Sequence, residues 1–458
     1  MIPFDVWENI IQVCDRPTQG LVCGVCKLFR DISTPLLYRI LELRSPKQII
    51  QCLLALTVNT LAAESVQVLE VTPLADEYML QSVMLLHVFI PLQSKAFQRL
   101  TNLKRLLYTR HPSHWPWAAF EDIFKRCTFP QLDGLTLVEV PITESIVRFI
   151  QRHDKLQILS WYTPVNRELE TNMHLLLAEK FTFTRLKVLG GPDEVLGHLI
   201  SNCPVLEIVF VISITDIPSR SFLRAMGENK RIEEFWFNGG SHTPGLDIIK
   251  ALSLAAPHLQ VVHLKFAVAD GINQLDDATM SELEGCLARF PVLRQLRWSA
   301  MNEWTTDLPL RNFQLDQGYS TVSCCGDICP TLTVCQLPYG ALWVRISGRV
   351  WRPVPCEDYE PEDRYFEWFF TQLNSGTYPA LTELLEYLEQ SFSTRYPPVV
   401  EYVQQFQAAQ QDMEGDPDIR RDLTMDLLAV MLHLELLYYK AVQDSPNYVM
   451  VRRKKRFK

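Results

Sequence analysis

The sequence predicts an α/β solenoid with a helical N-terminal segment, a long series of strand–helix units and a mainly helical C-terminal cap. Three observations lead to this prediction. Short apolar runs with strand-like alternation recur from about residue 60 to about residue 340. Helical patterns with capping residues lie between these runs. A chain of 458 residues is long for one globular core, whereas a solenoid grows by stacking units.

These patterns set the expected boundaries of four regions. They are a helical segment at residues 1–40, a repeat region at 41–340, a capping region at 341–450 and a basic tail at 451–458. In the capping region, Trp343, Trp351 and Trp368 indicate packing, and Asp416-Pro417 is expected to begin a helix. The basic tail fits either a nuclear import signal or a solvated end.

The composition fits a packed protein that binds neither nucleic acid nor a membrane. Hydrophobic residues make up 47% of the chain, which is ample for burial. The formal net charge of -9 argues against coating nucleic acid, which needs a basic surface. The best apolar run, residues 83–92, is shorter than the roughly 20 residues of a membrane span. Asp5 and Glu8 argue against a secretory leader, so the twelve cysteines are expected to be reduced thiols in the cytoplasm or nucleus.

The first forty residues are expected to form three short helices. Thr18 is expected to cap the second, and the third is expected to begin at Thr34-Pro35. The apolar positions at helical spacing are Val6, Trp7, Ile10 and Ile11 in the first helix, Leu21, Val25 and Phe29 in the second, and Leu36, Leu37 and Tyr38 in the third. Three helices this short cannot bury so much apolar surface among themselves, so another surface must cover it.

The same residues resemble an F-box of the fungal type over residues 2–40. The motifs that carry the resemblance are Ile2-Pro3, the acid Asp5, the pair Ile10-Ile11, the segment Val25-Cys26-Lys27-Leu28-Phe29-Arg30 and the exit Pro35-Leu36-Leu37-Tyr38-Arg39. Ile2 replaces the usual Leu, and the link at residues 16–20 is short.

This resemblance implies a substrate-recognition subunit of a cullin-RING (SCF-type) ubiquitin ligase, with the ubiquitin chemistry in other subunits. The residues that would dock on a Skp-type adaptor are Ile2, Pro3, Val6, Ile10, Ile11, Leu21, Val25, Phe29, Leu36, Leu37 and Tyr38. The alternative is a repeat scaffold outside any ligase, whose N-terminal helices only cap the solenoid.

Each repeat begins with an apolar residue that is expected to be buried, which we call its anchor. Successive anchors lie 20 to 39 residues apart. The anchors are Leu103, Leu132, Leu156, Leu186, Leu206, Ile232, Leu259, Leu293 and Leu332, with Val66 as an earlier candidate. Strand-then-helix units in series resemble degenerate leucine-rich repeats. The polar residue expected nine positions into each unit is replaced by Val140, Ile214, Gly240 and Ala267, so the sequence leaves open how the turn after each strand is satisfied. An unrelated α/β arrangement is the alternative fold.

Between the runs, Thr143, Ser219 and Asp277 are expected to precede helices, and Gly227 is expected just past a helix end. Within a run, the fourth and sixth positions point into the core, and the third, fifth and seventh point outward. The fifth positions are Thr136, Ser160, Gly190, Phe210, Trp236, His263 and Arg297, and the seventh are Val138, Tyr162, Pro192, Ile212, Asn238, Lys265 and Ser299.

We expect a protein substrate to bind the second half of this outward face. The substrate-binding residues are Phe210, Trp236, His263, Lys265 and Arg297. Aromatic side chains beside an arginine are typical of interface hot spots. A basic edge formed by His263, Lys265 and Arg297 favours an acidic or phosphorylated partner segment. The alternative is that the region after residue 341 folds over this row.

The sequence contains no motif that predicts catalysis or a cofactor. A phosphate-binding loop, a GxSxG motif and an HExxH motif are absent, so the chain is not expected to be an enzyme. The cluster Cys324, Cys325, Cys329 and Cys335 has irregular gaps, which favours buried thiols over zinc. Cys23 and Cys26 are expected on one helix, and His153-Asp154 is expected to be a surface pairing.

Overall fold

The computed structural model describes residues 4–72, 83–109, 117–162, 182–213, 217–239, 245–266, 276–300, 312–338, 341–347 and 350–354. The chain divides into two compact units. The first unit comprises Met1–Pro309 and Cys324–Leu342, and the second comprises Leu310–Ser323 and Trp343–Lys458. Ile2 and Pro3 lie outside the described residues, as do Trp368, Asp416-Pro417 and the basic tail.

Three helices open the chain, but their boundaries differ from the expected ones. They are α1 (Phe4–Val13), α2 (Arg16–Cys23) and α3 (Lys27–Tyr38). The cap of α2 is Asp15, not Thr18, because its carboxylate accepts the backbone N–H of Thr18 at 3.1 Å. Helix α3 begins two turns before Pro35, which lies inside it.

The break between α2 and α3 also corrects the placement of the two cysteines. Cys23 ends α2, and Cys26 caps α3 by accepting the backbone N–H of Phe29 at 3.5 Å. Val25 therefore lies in the link between the helices, and Phe29 belongs to α3. The sequence spacing of Leu21, Val25 and Phe29 looks helical, but this local cap interrupts it.

The first unit continues as a parallel sheet whose strands follow one another in chain order. The strands are β1 (Ile40–Leu43), β2 (Val68–Val71), β3 (Arg105–Thr109), β4 (Gly134–Val138), β5 (Ile158–Tyr162), β6 (Val188–Gly191), β7 (Ile208–Ser213), β8 (Glu234–Gly239), β9 (Val261–Phe266), β10 (Gln295–Ala300) and β11 (Val334–Gln336). Each pair of neighbours from β1 to β11 is parallel.

Helices alternate with these strands. They are α4 (Pro46–Val58), α5 (Thr60–Ser65), α6 (Val83–Phe97), α7 (Trp117–Arg126), α8 (Glu144–Gln151), α9 (Asp193–Leu199), a 3₁₀ turn (Ile200–Asn202), α10 (Arg220–Glu228), α11 (Gly245–Ala255), α12 (Asp277–Leu287) and α13 (Asn312–Ile328). The predicted strand–helix alternation is confirmed, and the first unit is an α/β solenoid-like stack. The nine sequence anchors from Leu103 to Leu332 are all buried, at 1% exposure or less.

A backbone ladder explains how units of unequal length keep one strand register. Just before each strand, one carbonyl accepts two successive N–H groups of the next unit, at 2.7–3.1 Å. These carbonyls belong to Arg39, Gln67, Lys104, Asp133, Gln157, Lys187, Glu207, Glu233, Gln260 and Arg294. Because backbone atoms make these bonds, the side chains of the residues just before each strand are free to vary. Units of different length differ in the segments between one rung of the ladder and the next.

One turn without the usual polar residue is satisfied by a side chain from the next unit. The Trp161 indole Nε1 donates to the Val140 carbonyl at 2.8 Å, and both groups are buried. The other three replaced positions, Ile214, Gly240 and Ala267, lie outside the described residues. In this unit, a buried tryptophan therefore supplies the hydrogen bond to the turn that a polar side chain supplies in regular repeats.

Helix caps follow the expected pattern at two of three positions. Thr143 and Ser219 accept backbone N–H groups as predicted, whereas α12 is capped by Asp276 and not by Asp277. The prediction for Gly227 is wrong, because this glycine lies inside α10. A Cβ at Gly227 would overlap the Ala255 carbonyl at the end of α11, so close helix approach requires glycine here.

We expect Gly227→Ala to lower the free energy of unfolding by about 1–3 kcal/mol, because the added methyl has no room. Urea denaturation monitored by circular dichroism measures the change. The matched control is Gly285→Ala in α12, where a Cβ meets nothing within 4 Å. That variant should gain about 0.5–1 kcal/mol from helix propensity. Equal effects of the two substitutions would contradict the close approach of α10 and α11.

The described residues at the start of the predicted capping region, 341–347 and 350–354, form strands and not helices, which corrects the expectation of a mainly helical cap over these residues. Two strands, β12 (Leu342–Ser347) and β13 (Val350–Val354), lie side by side. Trp343 and Trp351 are buried, as expected for a packed region, and the Arg345 guanidinium lies 5.6 Å from the Trp351 ring centroid. Across the described ranges, no helix has both the length and the apolar character needed to cross a membrane.

Candidate binding surfaces

The N-terminal helices expose a group of large apolar side chains, which we call the N-terminal apolar surface. Its members are Phe4, Val6, Ile10, Val13, Leu21, Val25 and Leu28. Ile10 is 44% exposed, Val25 is 68% exposed and Leu21 is 77% exposed. A concentration of exposed apolar residues on one small element marks an interaction site more often than single exposed residues do.

The structure separates the predicted docking residues into an outer and an inner set. On α1, Val6, Ile10 and Val13 face outward at helical spacing, whereas Ile11 is 2% exposed. The prediction that Ile11 contacts an adaptor is therefore wrong, because its side chain fills the interior. The sequence analysis missed Val13, although it lies three residues after Ile10 and seven after Val6, which is helical spacing on the same face.

The remaining docking candidates have partly structural roles. Phe29 is half-buried and packs edge-on against Trp7, with ring centroids 4.9 Å apart, so it holds α1 against α3. Leu36, Leu37 and Tyr38 are also half-buried.

Two polar side chains hold the three helices together without using the exposed apolar groups. The Gln19 amide is buried and donates to the Ile11 carbonyl at 3.0 Å and to the Cys14 carbonyl at 3.1 Å. Arg16 donates to the carbonyls of Leu37 and Ile40, at the end of α3 and the start of β1. The carbonyls of Ile11, Cys14 and Leu37 lie at or just past the ends of α1 and α3, so these bonds join the helices and leave their outer apolar faces uncovered.

On the sheet, the predicted substrate-binding residues lie in register on neighbouring strands. Phe210, Trp236, His263 and Arg297 are directly opposite one another on β7, β8, β9 and β10. Lys265 lies two residues beyond His263 and is exposed. The ring centroids of Phe210 and Trp236 are 6.4 Å apart, and those of Trp236 and His263 are 4.0 Å apart.

Tyr162 extends this series in a way that sequence spacing did not show. Its ring meets Phe210 edge-on, with centroids 6.0 Å apart, although β6 lies between β5 and β7. The contact is possible because Gly190, which lies between Ser160 and Phe210 on the outward face of β6, has no side chain. We call Tyr162, Phe210, Trp236 and His263 the aromatic row. Pro192, expected on the same face, is buried at the position just before α9.

His263 does not add positive charge to this face. Burial, together with the smaller effect of the nearby Arg297 guanidinium, lowers the pKa of His263 to about 3. The expectation of a basic edge that includes His263 is therefore wrong. Glu234 shares the face and accepts the Trp236 indole N–H at 3.1 Å. The local charge is Lys265 and Arg297 against Glu234, which weakens the case for an acidic partner.

Three thiols of the cysteine cluster near residue 330, those of Cys324, Cys329 and Cys335, have raised pKa values. The hydrogen bond with Cys325, and then burial, hold the pKa of Cys335 well above its ordinary value, and Cys325 beside it is fully buried. Cys324 donates to Glu284 at 3.0 Å, and that carboxylate raises its pKa to about 11. Thiolates are the zinc ligands, so this environment disfavours metal binding. Within the described part of the chain, no group of three or more His, Cys, Asp and Glu is arranged to hold a metal ion.

His153 is part of the core and not a surface residue, which corrects the sequence interpretation. It is 4% exposed. Its Nε2 accepts the Phe129 backbone N–H at 2.9 Å, and its Nδ1 lies 2.6 Å from the Phe149 carbonyl. Both bonds require the neutral ring with the proton on Nδ1. Burial lowers the pKa of His153 accordingly.

Acidification should destabilise the protein through its histidines. Burial lowers the pKa of His153, His258 and His263 from the ordinary 6.5. Below about pH 6.5 the unfolded chain therefore binds more protons than the folded chain does. The contribution of these histidines to the free energy of unfolding is complete above about pH 6.5 and is lost as the pH falls. For His263, whose pKa is lowered to about 3, the slope should approach about 1.4 kcal/mol per pH unit as the pH falls below 6.5. Urea titrations at a series of pH values measure it.

A variant pair separates the contribution of one histidine. His263→Gln should reduce the slope between about pH 6.5 and pH 4, whereas His198→Gln, at an exposed position, should leave it unchanged. Stability that stays constant over this range would contradict the neutral, buried state of these histidines.

Comparison with known proteins assigns no family to this arrangement. The chain matches no protein-family model and no curated protein. The F-box and leucine-rich-repeat resemblances therefore rest on the sequence motifs, and the surfaces described above are the basis for a functional proposal.

Proposed function

We propose that the chain is the substrate-recognition subunit of a cullin-RING ubiquitin ligase. In this proposal, the N-terminal apolar surface docks on a Skp-type adaptor and the outward face of the sheet holds a protein substrate. The chain itself binds and positions, and it carries out no chemistry. Such a role places it in the cytoplasm or the nucleus.

The exposure of the N-terminal apolar surface is the observation that carries the proposal. A segment that only capped the solenoid would turn its apolar side chains toward the first repeat. Instead, Val6, Ile10 and Val25 remain exposed, while Arg16 and Gln19 make the contacts that hold the helices. This arrangement favours docking over capping alone, since exposed apolar groups gain free energy when a partner covers them.

The aromatic row supports the second half of the proposal. Aromatic rings in continuous contact present a large, stiff surface that loses little entropy when a partner covers it. Arg297 lies at the end of the row, in register with His263. The combination of aromatic side chains and arginine is the composition found at interface hot spots.

Direct titration with a purified Skp-type adaptor tests the proposal. Isothermal calorimetry should give one-to-one binding with a Kd below about 1 µM, as expected for a stable interface of standard size. No heat and no co-elution at concentrations well above that value would exclude ligase function. The alternative is a repeat scaffold whose N-terminal helices only cap the solenoid, and it predicts that negative result. The hydrogen bond from Arg16 to the start of β1 is the contact that favours this alternative.

A further inference from the structure

Two acidic side chains lie beside the aromatic row, where strand β8 begins. Glu234 is two residues before Trp236 on β8, so both side chains lie on the outward face of the sheet. The Glu234 carboxylate is held at the row, because its Oε2 accepts the Trp236 indole N–H at 3.1 Å. Its other oxygen, Oε1, forms no hydrogen bond within the described part of the chain. Glu234 is half-buried and Glu233 is exposed, so a partner can reach both.

These two carboxylates leave uncompensated negative charge at this side of the row. Glu207, in the preceding unit, is paired with Lys187, whose Nζ lies 2.9 Å from its carboxylate. Glu233 and Glu234 form no ion pair with any described residue, although Arg231 lies close to them along the chain. A cationic group is therefore attracted to this position.

The basic residues of the same face lie too far away to neutralise this charge. From Glu234, Lys265 is one strand away and four positions further along, which separates the two strand positions by about 14 Å. Arg297 is two strands away and two positions further along, a separation of about 12 Å. Both separations exceed the Debye length of about 8 Å at physiological ionic strength, so salt screens most of their effect.

The rings beside Glu234 provide a second attraction for a cation. Phe210 is directly opposite Trp236, with ring planes 24° apart and centroids 6.4 Å apart. The face of an aromatic ring carries negative potential, which attracts a cation within about 6 Å of the ring centroid. A carboxylate or phosphate would be repelled by Glu234 and by the ring faces, and a neutral side chain would gain nothing from the carboxylates. A lysine or arginine side chain uses both features, because its apolar stem packs on the rings while its charged end reaches the carboxylate.

We propose that Phe210, Glu234 and Trp236 form a cation subsite that receives the side chain of a Lys or Arg in the protein partner. The inference rests on the proposed substrate-binding role of the aromatic row and specifies the chemistry that this part of the face recognises. The partner segment is therefore basic where it crosses the first residues of β7 and β8, with Glu233 adding to the attraction from the edge of the sheet.

Three probes with the same backbone test the subsite without knowledge of the partner. They are the Nα-acetyl amides of lysine, norleucine and glutamate, whose side chains are cationic, neutral and anionic, respectively. Saturation-transfer NMR titration of the full chain measures their dissociation constants. We expect the lysine probe to bind at least about fivefold more tightly than the norleucine probe, and the glutamate probe to bind most weakly. The lysine preference should fall as NaCl rises from about 0.05 M to about 1 M, because salt screens the charges.

Two variants and a matched control locate the binding. Glu234→Gln keeps an acceptor for the Trp236 indole N–H but removes the charge, so it should weaken the lysine probe by about threefold or more and leave the norleucine probe unchanged. Trp236→Leu should weaken both probes, and the lysine probe more strongly. The control is Glu70→Gln, at a half-buried glutamate on the same face of β2, and it should change neither probe.

The outcomes separate this subsite from the receptor role. Equal affinities of the lysine and norleucine probes, tighter binding of the glutamate probe, no binding of the lysine probe, or a lysine preference that survives Glu234→Gln would overturn the subsite. Loss of protein partners by Trp236→Ala would then leave the receptor proposal standing. Conversely, a chain that binds no Skp-type adaptor but still prefers the lysine probe would keep the cation subsite and lose the ligase role.

Discussion

Replacing Ile10 and Val25 together with Asp is expected to abolish adaptor binding while leaving the fold intact. Both side chains are exposed, at 44% and 68%, so the free chain tolerates the charges. In a docked complex the same carboxylates would be buried without partners, which costs several kcal/mol, on the order of 3–5. Co-purification with a Skp-type adaptor measures the loss, and the melting temperature should stay within about 3 °C of wild type.

A matched pair on a neighbouring helix provides the control. Leu54 and Val58 on α4 are 49% and 82% exposed, and they lie outside the N-terminal helices. Leu54→Asp with Val58→Asp should retain the adaptor. If the Ile10 and Val25 variant still binds, the docking assignment of this face is wrong. If that variant unfolds, the N-terminal helices serve to cap the solenoid.

Replacing Trp236 and Arg297 together with Ala is expected to release the substrate and keep the adaptor. Trp236 touches both Phe210 and His263, so its removal opens the middle of the aromatic row. Removal of Arg297 takes away the guanidinium beside His263. Together the changes should weaken partner binding by about 2 kcal/mol or more, which is a factor of roughly 30.

Quantitative affinity purification with mass spectrometry measures this effect. The control is Thr136→Ala, an outward-facing residue of β4 whose partners on the neighbouring strands are Leu107 and Ser160 and not members of the aromatic row. The control should keep every wild-type partner, and both variants should keep the adaptor. Retention of all partners by the Trp236 and Arg297 variant would show that the substrate binds elsewhere.

The repeat architecture could be predicted because each unit contributes the same local signal. An anchor such as Leu132 or Leu259 starts an alternating run, and side-chain direction in a strand then follows with a period of two. A shift of one residue would turn every core side chain outward, so the register is strongly determined. For this reason the sequence placed Phe210, Trp236, His263 and Arg297 on one face, and the structure brings them into line.

The details that the sequence missed depend on contacts between distant residues or on competing local caps. Asp15 and Thr18 are both good capping residues, and only the folded chain shows that Asp15 is used. Gly227 looked like a helix end, but its role comes from Ala255 on the next helix. The charge of His263 depends on burial and on Arg297, 34 residues further along the chain. None of these effects leaves a pattern in the local sequence.

Hydrogen–deuterium exchange of the chain with and without a saturating Skp-type adaptor tests the docking claim most directly. The account predicts slower exchange across α1, α2 and α3, residues 4–38, where the N-terminal apolar surface lies. Exchange in β7 to β10 should stay unchanged, which would leave the aromatic row available for a substrate. Protection that appears on β7 to β10 and not on the N-terminal helices would contradict the account, as would the absence of any protection.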